Sequence, residues 1–101
     1  MAEINNAGGT LTVKLGAEFV AAEAESLRAE LGSLVAQGAA NIVFDCGRVS
    51  KMDSRGLLLL VSAANTTAAN GGKTTISNAS ADLADLLRIT GLDMRMEVLS
   101  A

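Results

Sequence analysis

Apolar residues follow two alternating periodicities along the chain. From Thr10 to Leu15 every second residue is apolar, with Leu11, Val13 and Leu15 on one face and Thr10, Thr12 and Lys14 on the other, which predicts a half-buried strand. Gly8 and Gly9 before it mark a turn, so a short first strand near Glu3 to Asn5 completes a hairpin. The period then becomes helical. Val20, Ala24, Leu27, Leu31, Leu34 and Val35 recur at that spacing over Glu18 to Gln37, and Glu23, Glu25, Arg28 and Glu30 lie largely elsewhere, predicting an amphipathic helix closed by Gly38. Asn41 to Cys46 carries Ile42, Val43 and Phe44 in sequence, as a central strand does when it is covered on both sides or flanked by neighbours. The loop Gly47 to Met52 follows. Ser54 to Asn70, rich in Leu and Ala, predicts a second helix that Asp53 or Ser54 caps and Asn70, Gly71 and Gly72 end. Lys73 to Ser77 reads as a strand on its two Thr and Ile76. Ser80 caps a third helix, Ala81 to Thr90, with the stripe Leu83, Leu86, Leu87 and Ile89. Gly91 and Leu92 fit a Schellman ending in which Leu92 packs back on Leu87, and Met94 to Leu99 reads as the last strand.

The order strand, strand, helix, strand, helix, strand, helix, strand predicts an α/β fold. Its sheet is mixed and partly parallel, with right-handed helical crossovers packed against it. A length of 101 residues suits a single domain, 1–101, and no repeat, low-complexity tract or linker divides it. Half of the residues are apolar but only two are Phe, with no Trp or Tyr, so Leu, Val, Ile, Met and Ala must build the core.

Charge and cysteine usage narrow the function classes. A net charge of −3 argues against nucleic acid as a partner, because counterion displacement needs a broad basic face. One cysteine, Cys46, makes no internal disulfide, and no basic segment followed by an apolar run opens the chain, so the expected compartment is the reducing cytoplasm. Leu57 to Val61 is the longest strictly apolar run, far below the roughly 20 residues of a membrane span, so no direct membrane insertion is expected.

With no histidine, Ser-His-Asp and Cys-His arrangements are excluded, and a lone cysteine leaves no zinc cluster. The glycine pairs lack the spacing and the Lys of a phosphate-binding loop. Neither an enzyme nor a cofactor is therefore expected, and Cys46, ending an apolar strand, reads as a small buried hydrophobe.

The informative segment is Arg48 to Gly56, where a buried strand hands over to a helix. It holds Arg48, Lys51 and Arg55, three of the chain's eight cations. The first amides of a helix point outward unpaired and its dipole adds positive character, so a phosphoryl group on Ser54 would be seated there with little strain. The same residue types are also ordinary helix caps.

These residues resemble the STAS family. Ile42-Val43-Phe44-Asp45 through Val49, then Met52-Asp53-Ser54-Arg55-Gly56-Leu57, is similar to its signature of a strand ending in Asp, a short loop and Asp-Ser-small-Gly-Leu. Asn70-Gly71-Gly72-Lys73 and Ile89-Thr90-Gly91-Leu92-Asp93 match its second-helix turn and third-helix ending, and the resemblance spans roughly residues 10 to 99. In the family's anti-sigma factor antagonists the Ser after the Asp is phosphorylated by a serine kinase that is also the anti-sigma factor, and a PP2C-type phosphatase resets it. The resemblance implies Ser54 as phosphosite and Arg48, Lys51, Asp53, Ser54, Arg55, Gly56 and Glu18 as the partner-binding surface. Two departures stand out. Where members often carry Gly-Glu-Leu-Asp, this chain has Gly16-Ala17-Glu18-Phe19, so that aspartate is missing or shifted to Glu18, and Arg55 replaces a small residue. An alternative within the same fold is a constitutive subunit on the ATPase of a lipid ABC transporter.

Overall fold

The computed structural model describes residues 2–100. Among them the chain runs β1 (Glu3–Ala7), β2 (Thr10–Lys14), β3 (Glu18–Phe19), α1 (Ala21–Ala36), β4 (Asn41–Asp45), β5 (Lys51–Met52), α2 (Ser54–Ala69), β6 (Thr74–Ala79), α3 (Ala81–Ile89), a 3-10 turn (Leu92–Met94) and β7 (Glu97–Ser100). Five strands form one sheet in the order β1-β2-β4-β6-β7, and β3 and β5 form a separate two-stranded ribbon. β1 is antiparallel to β2, whereas β2, β4, β6 and β7 run parallel, giving the mixed, mostly parallel α/β fold expected.

Each parallel step crosses over through one helix, and all three steps move in the same direction across the sheet. Right-handed crossovers then stack the helices on one face. Burial follows that arrangement: Leu11, Val13, Ile42, Phe44 and Ile76 point into the core, while Thr12 and Lys14 on the other face are exposed. Val43 lies half-buried on that open face, with Thr12 and Thr75 in register on either side, so β4 is flanked by neighbours and not covered twice. The β1–β2 hairpin closes on Gly8 and Gly9, both left-handed with φ of 60° and 84°, and such a turn matches the strand twist.

Several boundaries differ from the sequence reading, β1 running on to Ala7 among them, and three have a clear local reason. Helix α1 begins at Ala21 because Glu18 and Phe19 are drawn into the ribbon with Lys51 and Met52, which the sequence placed in a loop. β6 runs on to Ala79 through Asn78, whose left-handed φ of 55° accommodates a register shift against β7. Met94 belongs to the 3-10 turn, not to the last strand. Gly91 turns left-handed with φ of 76°, its carbonyl accepts from the Met94 amide at 3.2 Å, and the strand starts only at Glu97.

Cys46 lies in the core, and burial, with the Asp45 carboxylate adding to it, pushes its thiol up to about 12. The thiolate is the reactive form. A disulfide reagent at about pH 8 is therefore expected to leave native protein unmodified over hours and to react with one thiol within minutes of denaturation. Rapid modification of the folded chain would show the core opening locally. No helix among the described residues is long and apolar enough to cross a membrane.

Candidate functional site

The site grows from a capping problem. α1 begins after Val20, an apolar residue with no oxygen to offer the first amides of the helix, and it makes no side-chain cap. Asp53, 32 residues later, supplies the acceptor: its Oδ2 takes the Ala21 amide at 3.0 Å. Its Oδ1 takes the Gly56 amide, also at 3.0 Å, and so caps α2. One carboxylate thus joins the N-termini of both helices. The Gly56 hydrogen bond, followed by those from Ala21 and Arg55 and by the Arg55 charge, holds its pKa below the ordinary 3.8 against the opposing effect of desolvation.

Close packing makes this junction possible. Gly56 is buried, and a methyl group on it would fall against the Phe19 carbonyl oxygen, with the Phe19 ring at 3.0 Å and Met52 Cγ at 3.1 Å. The absence of a side chain therefore lets the β3–β5 ribbon lie directly on the first turn of α2. The Ala17 carbonyl fixes the ribbon's start by accepting from the Ser50 amide at 2.8 Å, the Lys51 amide at 3.1 Å and the Ser50 hydroxyl at 3.1 Å. A second tie closes the far end of the loop. Asp45 Oδ1 accepts from Asn78 Nδ2 and from the Gly47 amide, both at 3.0 Å, and these bonds lower its pKa, with Lys14 and Arg48 adding to them.

Ser54 is the first residue of α2, and it is exposed. Asp53 is the cap, which resolves the choice the sequence left open. Among the described residues no hydrogen bond engages the Ser54 hydroxyl. The expected surface is only partly gathered around it. Asp53, Ser54, Arg55 and Gly56 share the first turn of α2, and Glu18 and Lys51 are exposed and opposite one another in the ribbon. Arg48 stands apart, its charge acting on Asp45 while Arg55 is the cation acting on Asp53. One of the amides expected to seat an anion at this helix start, that of Gly56, is taken by Asp53. A phosphoryl group on Ser54 would therefore stand next to the Asp53 carboxylate.

Both carboxylates, Asp45 and Asp53, have folded pKa values below the unfolded value of 3.8. Their stabilisation is therefore fully present above that value and is lost as the pH falls through the folded values. Thermal melts between about pH 5 and pH 2 are expected to show a falling midpoint in the wild type and a shallower fall in Asp53→Asn. Identical acid limbs would remove the charge of Asp53 from the clamp.

The sequence reading missed the second half of this junction. Val20 at the α1 cap position was a readable signal that the helix needed an outside acceptor. It missed as well a groove along the α1–α2 seam, where Arg28 and Glu25 of α1 face Arg55, Leu58 and Asn65 of α2. No group of His, Cys, Asp and Glu among the described residues is arranged to hold a metal.

The family model of the STAS domain matches residues 1–100. The structure of the Bacillus cell fate determinant SpoIIAA in its phosphorylated form is similar at 25% identity, with a TM-score of 0.84 over 97% of this chain and 90% of that one. An anti-sigma factor antagonist from Mycobacterium paratuberculosis shares the fold at 20% identity, TM-score 0.83, covering 100% of this chain and 86% of that one. Murine solute carrier 26 family member A9, an anion transporter, shares it at 17% identity and TM-score 0.72, over 96% of this chain but 17% of the transporter. No curated protein matches the chain by sequence.

Proposed function

We propose, from the premise that this chain belongs to the STAS domain family, that it is an anti-sigma factor antagonist whose hold on its partner is switched by phosphorylation of Ser54. The observation that carries this reading is an exposed, unengaged hydroxyl directly after a carboxylate clamped to two helices. The partner is a serine kinase that doubles as the anti-sigma factor, and a PP2C-type phosphatase resets the cycle. The chain itself is a non-enzymatic binding domain working in the cytoplasm.

The chemistry asks little of this chain beyond presentation. The kinase binds ATP, the Ser54 oxygen attacks the γ-phosphorus, the bond to ADP breaks and the hydroxyl proton passes to a base of the kinase. The Asp53 clamp holds Ser54 on a fixed turn, so docking orders no loop. The product carries about −1.5 to −2 charge beside Asp53, whose oxygens already hold the Gly56 and Ala21 amides. Arg55 is the adjacent cation left to meet it. A dianion held at the surface must be desolvated when the partner docks, at a cost of several kcal/mol, and each 1.4 kcal/mol is tenfold in affinity. A tight complex becomes a weak one. Incubation of the purified partner with ATP tests the reading: phosphate should enter the wild type at Ser54 and not Ser54→Ala, and labelling of both variants would refute it.

A second reading on the same fold is a constitutive subunit on the ATPase of a lipid ABC transporter; the fold also occurs inside an anion transporter, which carries no phosphorylation requirement over to this chain. Native isolation with that ATPase and no phosphate on Ser54 would select it.

A further inference from the structure

The α1–α2 seam carries charge and apolar surface that the fold itself does not use. Its groove encloses about 440 Å³ and continues past Arg28 into a second depression of about 190 Å³ that reaches Thr66. The floor is apolar, with buried Leu59 and, at its edge, Leu58, which is 60% exposed. The rim is cationic. Arg28 and Arg55 are exposed and neither forms an ion pair among the described residues; Glu25 is the acid in the groove's lining, and Asp53 lies near Arg55 at its end. Arg95 adds a third guanidinium by donating to Asn65 Oδ1 at 3.0 Å. This local excess of positive charge stands on a chain whose net charge is −3.

We infer that this groove docks an acidic segment of a partner protein, one that lays an aliphatic side chain on Leu58 and Leu59 between carboxylates held by Arg28 and Arg55. An apolar floor with guanidinium rims suits that chemistry, because a guanidinium binds a carboxylate in fork geometry while the apolar anchor is buried. A second copy of this chain is a poorer occupant, being acidic overall but offering the same basic groove. The groove also opens at the switch. Ser54 and Leu58 are four residues apart on α2, so they share one helix face, and Arg55 follows Ser54 in the chain and stands three residues before Leu58. A phosphate on Ser54 then draws on Arg55 and repels the docked carboxylates. This coupling rests on the reading proposed above, whereas the docking does not.

The test uses the full chain, isotope-labelled, and a short blocked peptide of leucines flanked on both sides by glutamates, with a glutamine-flanked version as its neutral control. The acidic peptide is expected to shift the amide resonances of Arg28, Arg55, Leu58 and Asn65. It should bind at least about tenfold more tightly than the neutral one and weaken as salt is added. Arg28→Gln and Arg55→Gln should each reduce its affinity about 3- to 10-fold with unchanged thermal midpoints, since both side chains are exposed. Equal binding of the two peptides, shifts confined to another face, or no binding at millimolar concentration would overturn the inference. So would movement of the same resonances on dilution of the chain alone, which would assign the groove to a second copy. The two readings fail separately: acidic-peptide binding with no phosphate on Ser54 in the cell leaves the groove and removes the switch, and the converse removes the groove alone.

Discussion

Replacing Ser54 by aspartate is expected to weaken the complex with the proposed kinase partner by roughly 30- to 3,000-fold, the range set by burying an unpaired charge at an interface. Alanine at the same position should leave affinity within about threefold, because one exposed hydroxyl contributes little to a complex. The contrast is interpretable because neither substitution threatens the fold. Ser54 is exposed and heads α2, where a carboxylate is tolerated by the helix dipole, and the capping task belongs to Asp53. Calorimetric titration of the three proteins against the same partner reads the effect, with thermal midpoints as the folding control. Equal affinities for the aspartate and alanine variants would remove charge from the mechanism.

The second large effect is structural. Gly56→Ala is expected to destabilise the domain by about 2 kcal/mol, the balance of an overpacking cost near 3 and a helix-propensity gain near 1. The cost arises because the new methyl meets the backbone of Phe19 as well as its ring, and a carbonyl in a paired ribbon cannot step aside as a flexible side chain does. Gly32 in α1 provides the opposite case. A methyl there meets nothing within 4 Å, so Gly32→Ala should stabilise by about 0.5–1 kcal/mol. Thermal denaturation should therefore move the two midpoints in opposite directions, by roughly 10 °C down and about 5 °C up. Two upward shifts would mean that the ribbon does not pack on α2.

Elements with a clear period were legible in the sequence. Leu11 and Val13 alternate as β2 requires, with Leu15 buried just past its end, and α2 and α3 start where Asp53 and Ser80 stand as caps. The β3–β5 ribbon was not legible, because two residues per strand carry no period. Glu18 and Phe19 were absorbed into the helical pattern that follows them. Met94 looked like strand because it is apolar, yet it is 89% exposed. A left-handed Gly91 and two successive turn hydrogen bonds decide its place, not its hydropathy.

The site divides along the same line. Asp53 and Ser54 could be found because they are adjacent and stand at a helix start, so local chemistry marks them. The bond from Asp53 to Ala21 could not, because it spans 32 residues and depends on where the ribbon places the head of α1. For the same reason the sequence does not show that Arg48 acts on Asp45 while Arg55 acts on Asp53, with Lys51 in the ribbon between them in the chain. Across the seam Arg55 shares the lining of one groove with Arg28, from a helix with no motif.

The most direct test of the switch is phosphosite mapping by mass spectrometry of this protein recovered from its own cells. The expected result is a phosphate on Ser54 in a fraction of the molecules that changes with growth state. Ser54 found unmodified under every condition, or phosphate found only on another residue, would contradict it.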